Sequence, residues 1–150
     1  MGNMVTLIGN LTKDPEIRFT RDGQAVTTIG LAISHRWQNR QNNSWEEDTS
    51  FVDIVCWRET AENVAASMPK GCRVIVVGRL EQRSWENEEG EKRYKIEVIA
   101  EEIGPSLKWA KAQVSKAQKQ DNLDDNPNGS GNIEPGSEQI EEDDRELAEV

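Results

Sequence analysis

Alternation of apolar and polar residues is the feature that most narrows what this chain can fold into. Five short runs read as strands, Met4–Asn10, Ala25–Trp37, Ser50–Arg58, Cys72–Arg83 and Arg93–Glu102, and in the last three apolar side chains recur at every second position. Period two belongs to the pleated strand, whose successive side chains point to opposite faces, so each run predicts a strand with one face on a core. A helical period occurs once among them. Ala61, Val64, Ala65 and Met68 stand at i, i+3, i+4 and i+7, and Pro69-Lys70-Gly71 ends the stripe. Asn87-Glu88-Glu89-Gly90 reads as a hairpin turn between the last two strands.

Five strands with one short helix between the third and fourth is the element order of an OB-fold, an all-β, five-stranded Greek-key barrel that binds oligonucleotides on one face. Composition then changes at Gly104-Pro105, which bounds a domain at residues 1–105. Residues 106–120 are rich in Ala, Lys and Gln and read as an extension. Residues 121–150 are dominated by Asp, Glu, Asn, Gly and Ser, and hold too few apolar side chains to offset chain entropy. A disordered acidic tail is expected there. No apolar run approaches the roughly 18–20 residues that cross a bilayer. The opening Met1-Gly2-Asn3-Met4-Val5 lacks the features of a signal peptide, so a cytoplasmic protein without a membrane partner is expected. Cys56 and Cys72 fit no zinc spacing and are expected to be reduced.

The formal net charge of −10 counts against a nucleic-acid partner at first sight. Dividing the chain changes little: residues 1–105 carry 13 Lys and Arg against 17 Asp and Glu. Positive charge therefore has to be arranged on one face, because it is not present in excess. Alternation supplies such a face. In the third strand Val52, Ile54 and Cys56 make a core face, which leaves Phe51, Asp53, Val55 and Trp57 outward. In the fourth, Val74, Val76, Gly78 and Leu80 point in, and Arg73, Ile75, Val77, Arg79 and Glu81 point out, with Arg83 and Trp85 if no bulge intervenes. In the fifth, Tyr94, Ile96, Val98 and Ala100 are expected inside, and Arg93, Lys95, Glu97 and Ile99 outside.

The outward surface thus combines Phe51, Trp57 and Trp85 with Arg73, Arg79, Arg83, Arg93 and Lys95. Aromatic faces that stack on bases, beside cations that follow phosphates, are what sequence-tolerant single-strand binding requires. One outward Trp is more often a packing or interface residue. Three aromatics among five cations favour binding. Trp37 shares parity with Ile29, Leu31 and Ile33, so it faces inward unless a bulge or strand end near Ser34–Arg36 turns it out. Arg36 and Arg40 join the candidate cations around the polar loop Gln38–Ser44, which Trp37 and Trp45 flank.

Catalysis finds little support. His35 is the only histidine, so neither a multi-His metal site nor a nucleophile motif built on it emerges. The phosphate loop and the dinucleotide fingerprint are both missing, and no cofactor is expected. The competing binding readings are an OB-fold adaptor whose aromatic face takes a protein, and an RNA chaperone of cold-shock type. The second lacks its aromatic motifs here.

Leu7-Ile8-Gly9-Asn10-Leu11 followed by Asp14-Pro15-Glu16-Ile17-Arg18-Phe19 resembles the N-terminal signature of the bacterial single-stranded DNA-binding protein family. Phe51–Trp57, Lys70-Gly71-Cys72-Arg73-Val74, Val77-Gly78-Arg79-Leu80 and the stretch from Arg83-Ser84-Trp85 to Tyr94 are similar to it as well. Glu102-Ile103-Gly104-Pro105-Ser106-Leu107 looks most like actinobacterial members. The resemblance implies an OB-fold homotetramer that wraps single-stranded DNA during replication, recombination and repair. It also implies base stacking at Trp37, Phe51, Trp57 and Trp85, and an inter-subunit clamp strand at Ser106–Val114, whose composition suits a helix equally. The family's tail ends in acidic residues and a Pro-Phe tip that recruits replication and repair enzymes. Here Glu141-Glu142-Asp143-Asp144 is followed by Arg145-Glu146-Leu147-Ala148-Glu149-Val150. The acidity is kept and the tip is absent, which leaves recruitment open and is compatible with a paralogue specialised for DNA coverage.

Overall fold

The computed structural model describes residues 2–118. Its elements are β1 (Met4–Leu11), β2 (Ile17–Phe19), β3 (Ala25–Gln38), β4 (Trp45–Trp57), α1 (Arg58–Ser67), β5 (Arg73–Glu86) and β6 (Lys92–Pro105). The five alternating runs become β1 and β3 to β6. The unexpected element is β2, which pairs antiparallel with β3 from Ile17↔Thr27 to Phe19↔Ala25. Three residues are too few for a period of two to stand out.

The strands join in the order β1-β5-β6-β4-β3-β2. A further pairing of β1 with β3, at Asn10↔Ala32 and Leu11↔Leu31, closes five of them into a barrel and leaves β2 outside on β3. β4 and β6 meet in parallel at Ile54↔Val98 and Val55↔Ile99. Ile29, Leu31, Ile54, Val74, Val76 and Val98 fill the interior with no solvent exposure. Each contributes about 1.5–3 kcal/mol by leaving water. The stripe Ala61, Val64 and Met68 of α1 and its C-cap packs into the same core. The helix carries Glu59 in its first turn, where a carboxylate suits the macrodipole. It ends where the Met68 N–H donates to the Val64 carbonyl, one residue before Pro69.

One irregularity sets the faces of β5 and β6. Val77 pairs with Glu102 but Gly78 with Ala100, so Glu101 is an extra residue on β6. At Gly78 the two strands come so close that a Cβ would lie 2.3 Å from the Ile99 carbonyl oxygen. Only glycine fits this approach.

Both hairpins outrun the barrel. β3 and β4 stay in unbroken register from Val26↔Trp57 to Gln38↔Trp45, and β5 and β6 from Gly78↔Ala100 to Glu86↔Lys92. β4 and β6 each run from a hairpin tip into the barrel. Because they lie parallel, both arms leave the same end. The β5–β6 arm is closed by the expected turn: Gly90 has φ +79, and the Asn87 side-chain oxygen accepts from the Glu89 and Glu91 N–H groups at 3.1 and 2.9 Å.

These arms correct part of the expected core. Tyr94 and Ile96 have inward parity but are 60% and 65% exposed, and Leu80 is exposed too, because the arm extends past anything that could cover them. Conversely Glu97 and Ile99, expected outside, are buried. They lie mid-sheet, where β6 has β5 on one side and β4 on the other. Residues 106–118 form neither helix nor strand. The acidic tail expected at 121–150 lies outside the described residues.

Candidate nucleic-acid interface

On β4 the unbroken register gives Trp45, Phe51, Asp53, Val55 and Trp57 one common face. Val55 is buried against its neighbours, and the three aromatics are exposed, Phe51 at 73%. Ile99 lies beside Val55 across the parallel seam, so Lys95 and Arg93 on β6 share that face. On β5, Arg79 pairs with Ile99, Arg83 with Lys95 and Trp85 with Arg93. No further bulge intervenes beyond Gly78, so Arg83 and Trp85 are outward as alternation required. One outer surface, running from the barrel onto both arms, therefore collects Phe51, Trp57 and Trp85 with Arg79, Arg83, Arg93 and Lys95.

Cations are paired with rings and carboxylates along this surface. The Arg83 guanidinium stands 5.7 Å from the Trp85 ring centroid. Arg36 stands at the same distance from Trp45 on the other arm. Arg93 bridges to Glu91 at 3.2 Å, Arg79 to Glu81 at 3.5 Å, and Lys95 to Asp53. Exposed ion pairs of this kind are worth only about 0–1 kcal/mol. They hold the cations in position without preventing exchange of a carboxylate for a phosphate.

A polar cleft of about 280 Å³ lies on the same surface. Its floor is Thr28, Gly30 and Asp53, whose ladder positions fall between those of Phe51 and Trp57. Lys13, Asp14, Glu16, Arg18 and Lys95 complete its lining. A Cβ on Gly30 would stand 2.4 Å from the Thr12 Oγ1 of the β1–β2 connection, so that side chain would have to shift. Alternation does not single out Lys13 and Arg18, because they belong to that connection and to the three-residue β2. It misses Trp45 because the third run is recognisable only from Ser50. The spacing of six between Trp45 and Phe51 is the signal that could have found it.

The remaining candidates lie elsewhere. Trp37 keeps the parity of Ile29, Leu31 and Ile33, since no bulge interrupts β3 and β4. It is on the opposite face of the arm from Trp45 and Phe51, where its ring stacks on His35 at 5.7 Å. Arg40 is in the turn at the arm's tip. Arg73 opens β5 at the far end of the barrel, with its guanidinium 4.7 Å from the Trp109 ring. At about 3.3 Å per residue, some 40 Å of strand separates it from Trp85.

Chemistry of other kinds has little to work with among the described residues. No group of three His, Cys, Asp or Glu could hold a metal ion. Cys56 is buried, and burial pushes its thiol up to about 11, far from a thiolate at neutral pH.

A closed five-stranded barrel whose outer face alternates exposed aromatics with cations defines an oligonucleotide-binding barrel of the OB class. Residues 2–106 match the family model described as "Single-strand binding protein family". The chain belongs to that family. It is 49% identical over 142 residues to the single-stranded DNA-binding protein of Paenarthrobacter aurescens, an alignment covering 93% of this chain and 83% of that one. The proteins of the same name from Mycobacterium leprae and Mycobacterium tuberculosis are 51% and 52% identical over 116 residues. Those alignments cover 77% of this chain and 69% and 71% of theirs.

Proposed function

We propose that this chain binds single-stranded DNA without sequence preference, protects it during replication, recombination and repair, and catalyses no reaction. The observation that carries this reading is the shared outer face of Trp45, Phe51, Trp57 and Trp85 among arginines and lysines. Every base has a π-face, so stacking contributes about 1–3 kcal/mol per base whatever the sequence. The cations supply the sequence-independent phosphate attraction. A homotetramer fits the outer faces of β1 and β5, where Met4, Ile8 and Ile75 are exposed and Ile8 pairs directly with Ile75. A second copy of this surface is a matching apolar cover. No helix among the described residues is long and apolar enough to cross a membrane.

The test is the double variant Trp57→Ala with Trp85→Ala, measured by anisotropy of labelled oligo-dT. Loss of at least about tenfold in affinity, with the fold intact by circular dichroism, is expected when two stacking rings are removed. Unchanged affinity would remove the stacking model and favour a protein-binding adaptor.

A further inference from the structure

The polar cleft between Phe51 and Trp57 sets three cations, Lys13, Arg18 and Lys95, against three carboxylates, Asp14, Glu16 and Asp53. Its charge is balanced, so a phosphate gains little there unless a carboxylate yields. The three carboxylates are held differently. The Asp14 carboxylate accepts from the Lys70 N–H at 2.7 Å, which ties it to the turn before β5. Glu16 is exposed and joins none of the ion pairs among the described residues. Asp53 is bonded to Lys95, and its partner on β3 is Gly30, which leaves the floor beside it without a side chain. This pair is more enclosed than the others on the surface. Its side chains are 36% and 39% exposed, against 52% to 60% for Arg79–Glu81 and Arg93–Glu91.

Position decides what this pair does. Phe51 and Trp57 are six residues apart on β4, about 20 Å of strand, and Asp53 lies between them on the same face. A single strand stacked on both rings carries its backbone across Asp53. We infer that the cleft is a phosphate subsite in which Asp53 is an internal competitor: its carboxylate occupies the Lys95 ammonium until a phosphate of the strand displaces it. This inference rests on the reading of the chain as a single-strand binder and adds the residue that limits its affinity. A carboxylate and a phosphate make the same kind of charge-assisted bond to an ammonium, so one replaces the other without rebuilding the site. Lys95 suits the exchange, because its compact charge turns on a flexible stem. The exchange breaks the Lys95–Asp53 pair and leaves a negative charge beneath the strand's backbone. Binding across the cleft is therefore weaker than the cations alone would make it, and the strand leaves more readily.

The full chain and its variants are titrated against labelled oligo-dT by anisotropy at low and high salt. Asp53→Asn keeps the shape of the side chain and removes the competitor. It should bind about two- to fivefold more tightly at low salt, with the circular dichroism of the parent chain. The gain should fade at high salt, where screening weakens the Lys95 pair. Asp53→Ser should behave alike. In a Lys95→Gln background Asp53→Asn should gain less, because no ammonium remains to be freed. Unchanged or weaker binding by both Asp53 variants would overturn the competitor and leave the stacking face standing. An equal gain with and without Lys95 would overturn it too, by making Asp53 a plain repelling charge, and so would a gain that high salt leaves undiminished. Absence of binding by the parent chain would remove the single-strand reading itself.

Discussion

At the scale of single residues, exposure separates the apolar side chains of one strand into those that can work and those that pack. Phe51 is 73% exposed on a strand whose opposite face carries the buried Ile54 and Cys56, so its truncation removes a surface ring and no core volume. Phe51→Ala is expected to lower oligo-dT affinity between about five- and a hundredfold, read by anisotropy, with the melting temperature nearly unchanged. Ile54→Ala should do the reverse, costing about 2–5 kcal/mol in denaturant unfolding because it opens a cavity in a closed core. The cysteines divide in the same way. Cys72 is partly exposed, whereas Cys56 is buried and its thiol is held near 11. Iodoacetamide on the native protein at pH 8 should therefore modify Cys72 and spare Cys56, as mass spectrometry of the digested product would show. The raised value also has a sign for stability. The unfolded thiol loses its proton near its ordinary 9.0 and the native one near 11, so stability held below pH 9 declines as pH rises through that window.

At the scale of elements, alternation revealed what a core enforces and failed where the core ends. The five long strands and the helical stripe were legible, because each must present one apolar face to the barrel. The same rule misplaced Tyr94 and Ile96, whose alternation continues along an arm with nothing beneath it. Trp45 was hidden for a related reason. Glu46-Glu47-Asp48 looks unlike a strand by propensity, yet it lies in β4 because the arm is solvated on both sides. Trp37 shows the limit of parity as a guide to what a side chain meets. Its inward parity survives in the structure, but beyond Ile33 inward means only the other side of a ribbon. Gly78 shows the opposite case, in which one residue controls an element. Gly78→Ala would drive a methyl against the Ile99 carbonyl at the bulge, and thermal unfolding should show a loss of about 1–3 kcal/mol. The cleft behind Lys95 draws on residues of the β1–β2 connection, β2, β3, β4 and β6 that are distant in sequence, so no local pattern could have announced it.

At the scale of the whole molecule, arrangement outweighs sum. A chain of net charge −10 presents Arg79, Arg83, Arg93 and Lys95 in one row system, where Asp53, Glu81 and Glu91 are bound in weak, exposed pairs and Glu97 is buried. Affinity for single strands should therefore fall steeply with salt, by about 0.7 in log affinity per log unit of salt for each phosphate engaged. The apolar outer faces of β1 and β5 give a separate expectation. Ile8→Asp, which puts a charge opposite Ile75, should shift the native mass of the proposed tetramer to smaller species while the barrel stays folded. The central claim, that exposed indoles and cations on one barrel face bind single strands by stacking, is tested most directly by titrating tryptophan fluorescence. Oligo-dT and a matched duplex are compared at low and high salt. Strong quenching by the single strand alone, with weaker binding at high salt, is the predicted result. Equal quenching by the duplex, or none by either strand in a folded sample, would contradict it.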